Sequence, residues 1–198
     1  MDGTGFTLWT RPRRARAPRG QRVSNRTSSN YGRNFSMALV LSPGLGNVGT
    51  YVFHGAMNGL HFRAFLQAFV VSMGQALPGA RVLLIMDNLR AHRAETLQEE
   101  LWPHGHDFAF LPPYSPMLDP CEEAFSAIKQ RVKMGLSQRT DELAATDHLP
   151  WGTKTAKRQA VLLETIVASL EVVTPAKAAA WWFHSLSFAQ QCFAHEDL

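Results

Sequence analysis

The chain has 198 residues, of which 45% are hydrophobic and 18% are charged, a composition that excludes an intrinsically disordered protein. No apolar run approaches the roughly 18–20 residues that a membrane span needs, and no signal peptide follows Met1. The only cysteines, Cys121 and Cys192, lack zinc-binding spacing, so we expect a reduced, intracellular protein.

The net charge of +4 is concentrated near the N-terminus, where Asp2 is the only acidic residue before Asn34. The basic residues of this segment are Arg11, Arg13, Arg14, Arg16, Arg19, Arg22, Arg26 and Arg33. Such a cluster is a candidate electrostatic contact for nucleic acid. The alternative is a solvated loop that happens to be basic.

The first half of the chain predicts a hairpin, a helix and a buried strand. Residues 1–34 look irregular, and the next segments predict a strand over Phe35–Ser42, a turn, and a partner strand over 48–54. Apolar residues at helical spacing then predict a helix over about 60–77. The short apolar run 82–86 predicts a strand buried on both faces, as in a parallel sheet.

The second half predicts mainly helices. We expect a helix over about 93–102, a strand around 108–111 and a stiff proline-rich segment that leads into another helix. A polar connector from about Gly135 to Gly152 precedes two helices, over about 157–173 and 175–185. This order predicts an α/β fold with a mixed sheet. We divide it into a core (1–134), a connector (135–153) and a C-terminal helical extension (154–198) packed on the core.

Carboxylates occur at two predicted element ends. Asp87 follows a central strand at its carboxyl end, where ligand sites of open α/β sheets lie. It is either a metal ligand or a cap of the following helix, with Asn88 shaping the turn. Glu122 and Glu123 fall in the first turn of a helix that Asp119 can cap, so a capping box is the competing interpretation. Asp2 lies at the extreme N-terminus and by itself indicates no function.

Three segments resemble motifs of the DDE endonucleases encoded by transposons of the Tc/mariner superfamily. Residues 86–92 (MDNLRAH) resemble the strand-end motif of that family, and residues 111–122 (LPPYSPMLDPCE) resemble its LPPYSP-x-LNP-x-E motif. Residues 1–6 (MDGTGF) resemble the segment that carries the first catalytic aspartate. The family's aromatic and lysine positions downstream are matched by Phe125 and Lys129.

The resemblance implies a ribonuclease H-like fold, with a mixed central sheet flanked by helices and extra C-terminal helices. It implies that Asp2, Asp87 and Glu122 are both the catalytic residues and the ligands of Mg²⁺ or Mn²⁺, with two ions bound. Three carboxylates that share one site raise each other's pKa and therefore need cations to stay ionised. Asn88 and His92 are accessory candidates, and for His92 we favour packing over contact with the scissile phosphate.

The function implied is that of a transposase-type endonuclease, which cleaves and joins DNA strands in transposition. DNA is the expected partner, and its contacts would be made by Arg11, Arg13, Arg14, Arg16 and Arg19. We expect no membrane association and no small-molecule cofactor, leave a homodimer open, and expect nuclear localisation in a eukaryote.

Two other functions compete with this one. A catalytically weak or inactive domesticated remnant that binds nucleic acid would keep the same fold. A cellular ribonuclease H would also share the fold but does not explain the LPPYSP motif. The family's helix-turn-helix region and the start of its first strand are not found before Asp2. We therefore expect an N-terminally truncated chain in which Asp2 is frayed. The family's usual glutamate and asparagine are replaced by Gly3 and Asp119.

Overall fold

The computed structural model describes residues 1–8, 19, 34–88 and 94–193. The strands are β1 (Asp2–Phe6), β2 (Phe35–Ser42), β3 (Gly46–His54), β4 (Leu83–Met86) and β5 (Asp107–Phe110). The α-helices of this part of the chain are α1 (Gly59–Ala76), α2 (Ala94–Leu101), α3 (Pro120–Gln138), α4 (Thr140–Ala144), α5 (Trp151–Ser169) and α6 (Pro175–Phe193).

The strands form two hydrogen-bonded groups that meet edge to edge. Strands β1, β2 and β3 are antiparallel neighbours in that order, whereas β4 and β5 pair in parallel. The amino nitrogen of Met1 donates a hydrogen bond of 2.6 Å to the carbonyl oxygen of Ile85, which joins β1 to β4. The predicted mixed sheet is therefore present, with its antiparallel and parallel parts in contact beside Asp2.

The pleat of β2 divides the core between two helical layers. Met37 and Leu39 are fully buried in a cluster with apolar side chains of α3 and α5. Ala38 and Val40, which alternate with them, belong to a second cluster with α1, α2 and β4. Because successive side chains of a strand point to opposite faces, the sheet lies between two layers of helices. This α/β arrangement is the predicted fold class.

The N-terminal segment differs from the sequence-based expectation. Asp2–Phe6 forms β1 and pairs with β2 from Asp2 opposite Leu39 to Phe6 opposite Phe35. The expectation of a frayed Asp2 is therefore wrong, since pairing with β2 and the bond from Met1 hold this strand on both sides. The segment has two glycines in five residues, so it lacks a strand pattern of its own, and its partner strand imposes the conformation.

The expectation that β4 is buried on both faces is also only partly met. Leu84 and Met86 are 3% and 0% exposed, but Leu83 is 57% exposed. Only the side chains of alternate positions contact the α1 cluster, so β4 has one buried face and one partly open face.

The predicted connector after Gly135 is largely helical. Helix α3 continues to Gln138, α4 covers Thr140–Ala144, and α5 begins at Trp151. One buried arginine holds the turn within this region in place. Arg158 of α5 is 1% exposed and donates to Thr146 Oγ1 and to Asp147 Oδ1, each at 2.6 Å. These contacts fix the turn between α4 and α5 by tertiary interactions that the local sequence does not reveal.

The C-terminal helices pack against the rest of the domain. Val161, Leu162 and Ile166 of α5 lie in the same buried cluster as Phe125 and Ile128 of α3. Within the described ranges, no single helix has the length and apolar character to cross a membrane; one bent pair, Trp151–Val172 with Pro175–Gln190, meets the criteria only when taken together.

Candidate active site

The three predicted carboxylates line one open cleft. It has a volume of about 530 Å³ and is walled by the ends of β1 and β4, the proline-rich loop after β5, and the first turn of α3. Asp2, Asp87, Asn88 and Glu122 all contribute to its lining. A separate cavity of about 280 Å³ is lined mainly by apolar side chains, so we place the candidate site in the carboxylate cleft.

Asp2 is the most deeply set of these carboxylates. Its side chain is on the strand in the middle of the sheet, the residue is 7% exposed, and Oδ1 accepts a hydrogen bond of 2.5 Å from the amide of Gly3. Burial raises the pKa of Asp2 from 3.8 to about 7, although the bond from Gly3 acts in the opposite direction. The negative charges of Asp119, Asp87 and Glu122 are smaller contributions to the same rise in pKa.

Asp87 reaches the cleft because the strand before it ends there. Met86 is the last residue of β4, and its carbonyl oxygen accepts a hydrogen bond of 2.8 Å from the amide of Leu111. This bond ties the end of β4 to the start of the proline-rich loop. Asp87 is half-buried, and Asn88 beside it is exposed. The position agrees with the expectation that ligand sites lie at the carboxyl ends of strands in α/β sheets.

Glu122 enters the cleft from the first turn of α3. Asp119 is the N-cap, and its Oδ1 accepts a hydrogen bond of 2.8 Å from the amide of Cys121. The amide of Asp119 donates to Pro116 O at 3.1 Å and not to Glu122, so the return bond of a capping box is not made. Glu122 is exposed toward the cleft, whereas the neighbouring Glu123 contacts His184 of α6.

A fourth carboxylate was not predicted as part of the site. Asp119 is 5% exposed, lines the same cleft and is close enough to raise the pKa of Asp2. Sequence reasoning assigned it only a capping role, which it has. The available signal was the aspartate in place of asparagine in the LPPYSP-x-LNP-x-E motif.

The cleft has the chemistry of a site for a hard divalent cation. Its charged donors are carboxylate oxygens, the ligands that Mg²⁺ and Mn²⁺ prefer. The pKa of Asp2 is raised mainly by burial and additionally by the neighbouring carboxylates, and a bound cation would offset both effects. Among the described residues, however, no three His, Cys, Asp or Glu side chains stand close enough together to form a preassembled metal site. The metal-binding roles of Asp2, Asp87 and Glu122 thus stay a prediction.

Several predicted residues lie outside the described part of the chain. These are His92, Arg11, Arg13, Arg14 and Arg16. Arg19 is described and is exposed. The contacts of these arginines with nucleic acid and the packing of His92 stay predictions.

Comparisons with known proteins identify the family and the fold of this chain. The family model described as DDE superfamily endonuclease matches residues 1–144, well over half of the chain. No curated protein sequence matches. The solved structure of the Mos1 mariner paired end complex with Mn has a TM-score of 0.59 and 15% sequence identity, covering 98% of this chain and 54% of that one.

Two further solved structures are similar to this chain to about the same degree. The Mos1 transposase paired-end complex with left transposon end has a TM-score of 0.54, and a pre-cleavage Mos1 transpososome has a TM-score of 0.55. Each is 16% identical and covers 85% of this chain and 54% of its own. The chain thus spans about half the length of these proteins, and the similarity shows a shared ribonuclease H-like fold. With the family model matched over residues 1–144 and the carboxylate cleft in place, the chain belongs to the DDE superfamily endonucleases.

Proposed function

We propose that the carboxylate cleft cleaves DNA strands and joins them to new ones, in a reaction that depends on Mg²⁺ or Mn²⁺ and uses two ions. The observation that carries this proposal is the convergence of Asp2, Asp87 and Glu122 on one cleft in a chain of this family. Asp2 lies on β1, Asp87 directly follows β4 and Glu122 lies on α3, so no local structural need accounts for their meeting.

The chemistry proposed is an in-line displacement at phosphorus. When bound, the divalent ions stabilise the entering and leaving oxygens. Asp2, Asp87 and Glu122 would hold them through carboxylate oxygens. Pairing with β2 on one side and the hydrogen bond of Met1 to Ile85 on the other fix Asp2, and the capped first turn of α3 fixes Glu122. Water hydrolyses the first phosphodiester, and the freed 3′-hydroxyl then attacks a second one, releasing a 3′-hydroxyl there.

DNA is the proposed substrate and partner. The similar Mos1 structures include a complex with a transposon end, which supports this choice. We further propose nuclear localisation if the host is a eukaryote, and the formation of a homodimer. Because the chain spans 54% of the Mos1 chains, we propose that these 198 residues alone act as a weak, sequence-indifferent nuclease and do not excise or integrate an element unaided.

The experiment that tests this function is cleavage of a labelled duplex oligonucleotide in Mg²⁺ or Mn²⁺. We expect nicked products whose 3′-hydroxyl ends a DNA polymerase can extend, and no product in EDTA. Asp2→Asn and Asp87→Asn should each abolish the products, whereas Asp107→Asn, an exposed aspartate on β5, should retain them. Cleavage that persisted in both cleft variants, or none in the wild type with either metal, would contradict the proposal.

The arginine-rich segment is proposed to contact phosphates without reading bases, because most protein–DNA hydrogen bonds go to phosphate and sugar oxygens and carry no direct sequence information. Binding to duplex DNA should weaken with salt at a log–log slope of about −0.9 per phosphate neutralised. Replacing Arg13, Arg14 and Arg16 with alanine should flatten that slope by up to about three units. An unchanged slope would show that these arginines do not contact DNA.

A further inference from the structure

The loop between β5 and α3 is bonded to the end of β4 at its start and closes into a hydrogen-bonded turn directly before α3 at its end. At its start, the amide of Leu111 is bonded to Met86, the residue before Asp87. At its end, the amides of Leu118 and Asp119 donate to Ser115 O and Pro116 O, each at 3.1 Å. Three of its residues are prolines, which fix the backbone φ angle. A side chain on this loop is therefore held at a set position relative to the carboxylates.

Tyr114 lies at the centre of this loop in an unusual conformation. Its φ is 60°, the one positive φ of a non-glycine residue in the described ranges. A non-glycine residue in this region costs about 1–3 kcal/mol. The side chain is 99% exposed, so no burial of its ring offsets that cost. The result is an aromatic ring projected into solvent from a proline-rich loop.

The position of this ring limits what it could bind. Tyr114 lines the same cleft as Asp87 and Glu122. A tyrosine has no positive charge for a phosphate, but its flat face suits a nucleic-acid base, and base–aromatic stacking is worth about 1–3 kcal/mol. Inside a duplex both faces of a base are covered by its neighbours, so a base there offers a face to the ring only when it is unpaired and has left the stack.

We propose that Tyr114 is a base-stacking residue that holds an unpaired DNA base beside the phosphodiester to be cleaved. The proposal rests on the proposed function and adds to it a binding subsite and a substrate preference. Tyr114 selects DNA that is locally unpaired next to the carboxylate cleft, and the rigid loop presents the ring so that little conformational entropy is lost on binding.

The test compares variants that separate the ring from the backbone. Tyr114→Phe keeps the ring, whereas Tyr114→Asn removes it and tolerates positive φ, so the loop is preserved. Trp151→Ala is the matched control, because Trp151 is 64% exposed on α5 and does not line the cleft. The probe is a fluorescein-labelled duplex with one unpaired 2-aminopurine, compared with the fully paired duplex, in buffer with Ca²⁺ instead of Mg²⁺.

We expect Tyr114→Asn to bind the unpaired probe roughly 5- to 100-fold more weakly, in fluorescence anisotropy, and the paired duplex equally well. Quenching of 2-aminopurine on binding should disappear in this variant and persist in Tyr114→Phe and Trp151→Ala. Thermal unfolding should show Tyr114→Asn no less stable than the wild type.

Equal affinity of Tyr114→Asn and wild type for the unpaired probe would overturn the inference. If the wild type still cleaved DNA and Asp87→Asn did not, that result would leave the proposed function standing. If the wild type bound neither probe and cleaved no DNA, the proposed function and this subsite would both be overturned.

Discussion

Replacing Asp2 with asparagine should stabilise the metal-free protein at the expense of its activity. Asparagine keeps an oxygen that can accept the hydrogen bond from the Gly3 amide and removes a charge from a residue that is 7% exposed. The rise of the Asp2 pKa from 3.8 to about 7 corresponds to about 4 kcal/mol, because one pKa unit is equivalent to about 1.4 kcal/mol.

The sign of the pH dependence follows from the direction of this pKa change. Between pH 4 and 7 the folded state keeps a proton on Asp2 that the unfolded state has lost. The contribution of Asp2 to the free energy of unfolding therefore falls as pH rises through this window and levels off above about pH 7. Asp2→Asn lacks this dependence. Its free energy of unfolding should therefore exceed that of the wild type only slightly at pH 4 and by about 4 kcal/mol at pH 8.

Urea unfolding followed by circular dichroism in EDTA, at pH 4 and pH 8, measures the difference. Asp107→Asn is the matched control, because Asp107 Oδ1 also accepts a bond from the next amide, of Phe108, but the residue is exposed. Asp107→Asn should show no comparable increase in the free energy of unfolding at pH 8. If Asp2→Asn were less stable than the wild type at pH 8, or more stable by the same amount at both pH values, the assignment of a buried, repelled carboxylate would be refuted.

The remaining predictions concern metal binding and helix packing. Mg²⁺ at ten times its Kd should raise the free energy of unfolding by about 1.4 kcal/mol, and Asp87→Asn should lose most of this gain; an equal gain in both would count against the metal site. Arg158→Ala should cost about 1–3 kcal/mol in urea unfolding because it leaves the buried Oγ1 of Thr146 without its donor, and no measurable cost would show that this arginine does not hold the turn. Gly74→Ala in α1 should stabilise the protein by about 0.5–1 kcal/mol, because an added Cβ meets nothing within 4 Å. Gly135→Ala in α3 should not stabilise it, because the added Cβ would come within 2.7 Å of Thr165 Cγ2. Equal effects of the two substitutions on thermal unfolding would contradict this packing.

The elements with a strong pattern of their own were predictable from the sequence. Strand β2 has the predicted bounds, Phe35–Ser42, because its apolar residues and the following turn are local signals. Strand β1 was missed because Asp2–Phe6 becomes a strand only through pairing with β2 and the contact with Ile85. The helical character of 135–152 was missed for the same kind of reason, since Arg158 fixes it from a distance.

The candidate site likewise has features that the sequence predicts and features that it does not. The identity of Asp87 and Glu122 as site candidates followed from motifs whose spacing the fold preserves, and the cleft brings both together. The burial of Asp119 and the positive φ of Tyr114 depend on how the loop before α3 is anchored to β4. No pattern within the loop itself encodes those two properties, because the anchoring partner, Met86, is distant in sequence.

The comparison of two neighbouring glutamates tests the central claim most directly. Glu122 faces the cleft, whereas Glu123 contacts His184 on α6, so Glu122→Gln and Glu123→Gln make the same chemical change one residue apart. In a supercoiled-plasmid nicking assay with Mn²⁺, we predict that Glu122→Gln lowers the rate by about 100-fold or more, the scale of losing one electrostatic contribution in an active site, and that Glu123→Gln stays within about twofold of the wild type. Equal rates for the two variants would contradict the assignment of the cleft as the catalytic site.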